Sequence, residues 1–406
     1  MALEEKRILV GLLEKGMFVS RLDRDWVGTP FPFQGFYIES DNDVELLGNY
    51  CTSVFIDVLK SPLTDPGLQS LPRPAPGVFP PRGPTYRNTV AVQDELPRAR
   101  TAHADVHRLA AGVEAAVRAG QRLSPQAVRD AMEPMVESLL RNADALFWLI
   151  SLLRRDDYAY SHAVNCSALA AAFGRHLALP RETLVELATG GFLLDVGKAA
   201  LPDSLFNHAG PLEPASIQRM RSHVSEGLRV IDESGIRGKW VRDMVGCHHE
   251  RHDGSGYPDR LAGDRIPLAG RMGAVIDTYD AISSDRPHCK GESRHDALQE
   301  VYRASDRLYQ GEVVEQFLQC LSVYPTGSLV ELSTGEVAIV MAQNQARRLL
   351  PRVMLLLDAN KYPYRPFRDV DLMTAGGEKA GAGAAKIVAA LEPGAYGLDP
   401  AELFLA

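Results

Sequence analysis

The sequence predicts a mainly α protein: a helical bundle with a small β-rich module before it and a short β appendage after it. Three observations predict this. Short apolar runs alternate with turn formers over residues 7 to 60, apolar residues recur at three-to-four spacing between Ala99 and Gln319, and alternation returns beyond residue 326.

Residues 1–61 contain RILVGLLEKGMFVSRL, FYIES, DVELLG and SVFIDVL, short runs that read as strands of an N-terminal regulatory module. Residues 62–98 are centred on LPRPAPGVFPPRGP, where proline removes backbone donors and stiffens an extended chain, so a linker is expected. Residues 99–325 carry helical patterns such as VESLLRNADALFWLISLL and SHAVNCSALAAAFGRHLAL and form the expected catalytic bundle. Residues 326–373 hold SLVELSTGEVAIVMAQN, two alternating runs around a Ser-Thr-Gly turn, and PRVMLLLDA, a third run, which together give the β appendage. Residues 374–406 begin Gly/Ala-rich and are expected to be a mobile tail.

Composition narrows the function. A net charge of -8 and a pI near 5.8 lack the basic footprint of a DNA, RNA or membrane-surface binder, so an anionic ligand has to be met by local charge. Five cysteines stand far apart with no CxxC pair, which fits reduced thiols in a cytoplasmic setting. No apolar stretch approaches the length of a bilayer span, and the N-terminus lacks a signal-peptide core.

The strongest chemical signal is MVGCHHERHDGSGYP. His248 and His249 end a helical stretch and run into a glycine-punctuated loop closing with Tyr257 and Pro258. Adjacent imidazoles diverge by about 100° on a regular helix, so they serve one metal only at an irregular point. Upstream, GFLLDVGKAALPDSL places Asp195 and Lys198 three residues apart, on one helical face or at its exit. His162 in YAYSHAVN, His223 in RSHVSEG and Asp277 in AVIDTYDAISSDRP complete the candidates. Taken singly, each reads as structural: a capping histidine, a local ion pair, a satisfied core group.

Taken together and in order, His162, Asp195 with Gly197 and Lys198, His223 with Gly227, His248 with His249, Asp253 to Pro258, and Asp277 with Asp280 and Ala281 resemble the HD-GYP family of metal-dependent phosphohydrolases. The resemblance covers residues from about 100 to 370, and the N-terminal module is similar to an uncharacterised domain that often precedes such domains. It implies hydrolysis of cyclic di-GMP at two transition-metal ions, iron or manganese, and docking onto GGDEF-domain diguanylate cyclases; it leaves a homodimer open. By the same resemblance Asp195 would bridge the ions, with His223, His248 and His249 on one and His162 and Asp277 on the other. Lys198 would contact the scissile phosphate and Arg286 a non-bridging oxygen, with Gly256, Tyr257 and Pro258 in nucleotide recognition. Gly254 and Gly256 are expected to use positive φ, and Glu250 and Asp253 to orient the ligands.

Two places depart from the family. The residue before Asp195 is Leu194, where the family has the histidine of its HD dyad, and leucine cannot ligate. One metal therefore keeps four protein ligands and the other three. Past Arg286, His288, Cys289 and Lys290 replace the expected tyrosine and basic residues. Two functions follow as alternatives: a phosphodiesterase weakened at one site, or a degenerate member that binds nucleotide or docks a partner without catalysis.

Overall fold

The computed structural model describes residues 5–23, 31, 35–57, 61, 78–80, 85–152, 158–205, 213–286, 290–344, 349–374, 385–398 and 403. The N-terminal module consists of β1 (Glu5–Leu9), β2 (Phe18–Leu22), β3 (Phe36–Tyr37), helix α1 (Asp41–Gly48) and β4 (Ser53–Asp57). Its antiparallel sheet has the order β1-β4-β2-β3, and Val19, Leu22, Val54 and Ile56 are buried with Leu47 of α1. DVELLG, grouped with the extended runs by sequence, is helical. Ser40 and Asp43 form a capping box at its start, a local signal that outweighs the short apolar run.

Of the proline-rich stretch, residues 62–77 and 81–84 lie outside the described residues. The helical domain begins earlier than residue 99, with α2 at Val92–Arg118 and Pro97 inside it. Glu95 explains how the first turns hold. Its carboxylate is fully buried and accepts two hydrogen bonds of 2.8 Å from the Arg141 guanidinium of α3 (Pro125–Arg141), a tertiary clamp that no local propensity contains.

The bundle continues through α4 (Ala143–Leu152), α5 (Tyr158–His176), α6 (Arg181–Leu193), a 3-10 turn at Val196–Ala200, α7 (Pro214–Arg221), α8 (His223–Glu233), α9 (Lys239–Cys247), α10 (Leu268–Ser283), α11 (Arg294–Arg303) and α12 (Gly311–Leu321). The small residues Ala168, Ala170, Ala171 and Ala172 of α5 are buried, which brings α5 close to its neighbours at the centre of the core. Around this centre α6, α9 and α10 contribute Leu187, Leu193, Met244, Met272 and Ile276, all fully buried.

The C-terminal sheet contains β5 (Leu329–Leu332), β6 (Val337–Ala342), β7 (Arg352–Leu357), β8 (Pro363–Asp371) and β9 (Ile387–Ala390), ordered β8-β7-β6-β5-β9. One face, with Val337, Ile339 and Leu356, packs on Trp148 and Leu152 of α4. The expectation of a mobile tail from residue 374 is corrected here. β9 pairs antiparallel with β5 and Leu398 is buried, so the tail returns to cover what would be a free sheet edge. Residues 375–384, the Gly/Ala-rich part, lie outside the described residues. Among the described residues Cys51, Cys166, Cys247 and Cys320 are in no disulfide, and no helix is long and apolar enough to cross a membrane.

Candidate metal centre

Five elements converge on one point. α5 supplies His162, the cap of the 3-10 turn after α6 supplies Asp195, the start of α8 supplies His223, the end of α9 supplies His248 and His249, and α10 supplies Asp277. The adjacent histidines meet the demand for an irregular backbone because α9 stops at Cys247 and His248 is its cap. The structure thus brings together all six residues that the sequence nominated as ligands.

Their donor atoms form two sets that share Asp195. Atoms of Asp195, His223, His248 and His249 lie within 4.8 Å of one another, as do atoms of His162, Asp195 and Asp277. Asp195 faces both ways: Oδ1 is 3.4 Å from His223 Nε2 and 3.8 Å from His248 Nε2, while Oδ2 is 3.4 Å from His162 Nε2. His162 Nε2 is also 3.3 Å from Asp277 Oδ1, and His249 Nδ1 is 4.0 Å from Asp277 Oδ2. Lys198 places its ammonium on Asp195 Oδ2.

The imidazoles are oriented through their other nitrogens. His223 Nδ1 lies 2.8 Å from the Met220 carbonyl and His248 Nδ1 lies 3.0 Å from the Val245 carbonyl. A carbonyl only accepts, so each Nδ1 carries the proton and each Nε2 is left as a lone pair. Those two Nε2 atoms face each other at 3.5 Å, beside a buried Asp195 Oδ1 that has no hydrogen-bond partner. Three converging lone pairs repel unless a cation lies between them, so this donor set fits a metal ion. Burial supports the same state by pushing His223 below the ordinary imidazole value, His248 down to about 4 and His249 down to about 2.

The second set has the same logic with more negative charge. His162 Nδ1 is 2.7 Å from Asp280 Oδ2, and Asn165 donates to Asp280 Oδ1 at 2.8 Å, which directs His162 Nε2 at Asp195 and Asp277. Burial pulls the His162 pKa down, but Cys166 and the carboxylates of Asp195, Asp277 and Asp280 overcome it and hold it well above the ordinary value. Acids packed around one imidazole call for a positive charge, either a proton or a metal. Asp277 is held well below the usual carboxylate range, its burial outweighed by the His162 hydrogen bond; Asp195 is held there too, its burial outweighed by Lys198 and the imidazoles. Cys166 stands 3.6 Å from His162 Nε2, and burial pushes its thiol up to about 12.

Asp280 and Asn165 are the residues whose part the sequence reading missed. Asp280 was visible three residues after Asp277, but nothing local links it to a histidine 118 residues away. The expectation that Glu250 and Asp253 orient the ligands is corrected. Glu250 is buried and accepts from the backbone N–H groups of Asp259 and Leu261, and Asp253 accepts from that of Ser255, so both shape the loop. In that loop Gly254 has φ +79°, as expected, while Gly256 is required for a different reason. A Cβ on it would lie 2.5 Å from the His249 carbonyl oxygen and the Glu250 Cα, so only glycine lets the chain fold back against the histidine pair.

That return lays the Tyr257 ring on His249, 4.6 Å between centroids and 27° between planes. Arg286 is exposed, with Pro287, His288 and Cys289 outside the described residues. Leu194 is 1% exposed and packs into the apolar core. A Cβ on Gly273 of α10 would meet Met244, His248 Cβ and Leu194 Cδ1 at 3.0, 3.2 and 3.6 Å, so all three pack against α10 at that glycine.

Comparison with known proteins gives the following. Residues 135–313 match the family described as HD domain, and residues 5–128 match a domain of unknown function, DUF3391. The chain is 34% identical over 374 residues to the cyclic di-GMP phosphodiesterase PA4108 of Pseudomonas aeruginosa, covering 91% of this chain and 90% of that one. It is 31% identical over 182 residues to a cyclic di-GMP phosphodiesterase of Thermotoga maritima, covering 43% and 50%. It is 34% identical over 158 residues to 3'3'-cGAMP-specific phosphodiesterase 2 of Vibrio cholerae, covering 39% and 30%. A solved structure, Bd1817 from Bdellovibrio bacteriovorus, aligns with TM-score 0.45 and 16% identity over 77% of this chain and 98% of that one.

Proposed function

This chain belongs to the HD-GYP family of phosphohydrolases, and from that premise we propose that it hydrolyses cyclic di-GMP at two unequal transition-metal sites. The observation that carries the proposal is the shared carboxylate: Asp195 lies between a set of three imidazoles and a set formed with His162 and Asp277. In this reading His223, His248, His249 and Asp195 hold the stronger ion, and His162, Asp277 and Asp195 the weaker one, with iron or manganese as the metals. When bound, such ions supply Lewis acidity toward a phosphoryl oxygen and lower the pKa of a water.

The protein's own groups do the rest. Asp195 keeps both donor sets at a fixed separation, and Asp280 keeps the His162 ring aimed at them. Lys198, one turn after Asp195, exchanges its carboxylate contact for the scissile phosphate and neutralises charge there as the bond to phosphorus forms. Arg286 meets a non-bridging oxygen, and Gly256, Tyr257 and Pro258 form the wall against the nucleotide. Docking of a GGDEF-domain diguanylate cyclase at that loop is compatible with this reading.

Leu194 favours a second reading, in which the chain binds nucleotide or a partner without catalysis, because the three-ligand set lacks an imidazole. Wild-type protein and Leu194→His, purified anaerobically and reconstituted with iron or manganese, separate the two. The expected result is hydrolysis of cyclic di-GMP by wild type with one tightly held metal per chain, and a second metal and faster turnover in Leu194→His. Only trace metal after reconstitution would reject the metal centre. Bound nucleotide without hydrolysis in either protein would establish the non-catalytic reading.

A further inference from the structure

We propose that Arg221 binds the second phosphodiester of the substrate, the one that is not being cleaved, and so selects a two-phosphate ring over a single phosphodiester. The inference rests on the cyclic dinucleotide reading above. In an acidic protein with net charge -8 a dianionic ring needs dedicated local cations, one group for each phosphate. Two cations near the donor sets already have tasks. In that reading Lys198 leaves Asp195 for the scissile phosphate, and Arg251 donates to the carbonyls of His248 and Glu250 at 3.0 Å.

Arg221 differs from both. It ends α7, two residues before His223, is exposed, and among the described residues makes no ion pair or hydrogen bond. Its guanidinium carbon stands 4.9 Å over the Tyr257 ring. The same ring is stacked on His249 and meets the edge of the His223 ring at 6.3 Å, so Arg221 is one aromatic layer out from two of the imidazoles.

A cation–π contact at an exposed ring is weak but directional: it stations the guanidinium and leaves all its N–H donors for an oxyanion. Paired N–H donors match a phosphodiester's two non-bridging oxygens. A cyclic dinucleotide with one phosphodiester at the donor sets carries its other one about a nucleotide's length away, and Arg221 stands beyond the imidazoles by one aromatic ring. This also gives the Tyr257 ring a purpose, as the platform for the arginine.

The test compares wild type, Arg221→Ala and Arg221→Lys on cyclic di-GMP and on bis(p-nitrophenyl) phosphate, which has one phosphodiester. In Arg221→Ala, KM for cyclic di-GMP should rise about 10-fold or more, the loss of one charged hydrogen-bonding group, with kcat changed little and metal content unchanged. The fall in kcat/KM for bis(p-nitrophenyl) phosphate should be far smaller, and Arg221→Lys should recover part of the KM. Equal losses on both substrates, no change on cyclic di-GMP, or loss of metal would overturn the inference while leaving the phosphodiesterase reading intact. Wild type that cleaves only bis(p-nitrophenyl) phosphate would overturn the substrate reading and the inference with it. If wild type cleaves neither, calorimetric affinities for cyclic di-GMP decide, and equal values for wild type and Arg221→Ala overturn the proposal.

Discussion

Three of the four imidazoles of the centre, His162, His223 and His248, are told which nitrogen to offer by what lies behind them. For His223 and His248 that partner is a backbone carbonyl, which mutation cannot remove. For His162 it is the Asp280 side chain, itself held by Asn165, so this ligand has a support that can be tested alone. Asp280→Asn should lower activity by roughly 10- to 100-fold, as loss of a carboxylate behind a ligating histidine does. Manganese titration of the three-ligand set is the decisive readout. Weaker binding there with the tightly held ion retained is expected, and an unchanged titration with lowered melting temperature would show that Asp280 only supports the fold. The six ligands were legible because their order and spacing survive in the chain. Asp280's role was not, because its partner is distant in sequence and adjacent only through the packing of α5 on α10.

Among the elements, the 3-10 turn after α6 matters most, because it carries Asp195 and Lys198 across the start of α8. A Cβ on Gly197 would lie 2.0 Å from the His223 carbonyl oxygen and 2.4 Å from Gly227 N, so two backbones touch there and Asp195 reaches His223 only for that reason. Gly197→Ala should cost at least about 1–3 kcal/mol of stability and also lower metal affinity, measured by denaturant unfolding with and without reconstitution. Gly112, exposed in α2 with nothing within 4 Å of its missing Cβ, is the control. Gly112→Ala should stabilise the protein by about 1 kcal/mol. If both substitutions behave alike, the close approach at Gly197 is not a constraint. The sequence located helices here by their period, but a 3-10 turn of five residues has no period to read.

Over the whole molecule, Asp144 ties the parts together. It is buried at the start of α4, accepts from Thr326 at 3.1 Å and from the Gln343 backbone at 3.4 Å in the C-terminal region, and from Asn88 at 3.3 Å on the approach to α2. Burial raises its pKa from 3.8 to about 6 despite these donors. A carboxyl whose folded pKa is raised favours folding most at low pH and loses that contribution as pH rises from about 4 to about 6. A shift of this size corresponds to something on the order of 3 kcal/mol. Relative to wild type, Asp144→Asn should therefore gain stability by that order between pH 4 and 7 in urea unfolding. A difference that stays flat with pH would mean that Asp144 titrates normally.

The sequence by itself determined the helical bundle between two β regions, the six metal-ligand candidates and the missing histidine at Leu194, because period and motif order are properties of the chain alone. Tertiary structure decided the rest. Only packing shows that Asp195 divides its two oxygens between two donor sets, that Glu250 holds a loop instead of a ligand, that the tail returns as β9, and that Arg221 stands over Tyr257. These are contacts between segments far apart in sequence or side chains with several local options. Their free energy comes from burial and pairing across the fold, which no local pattern encodes.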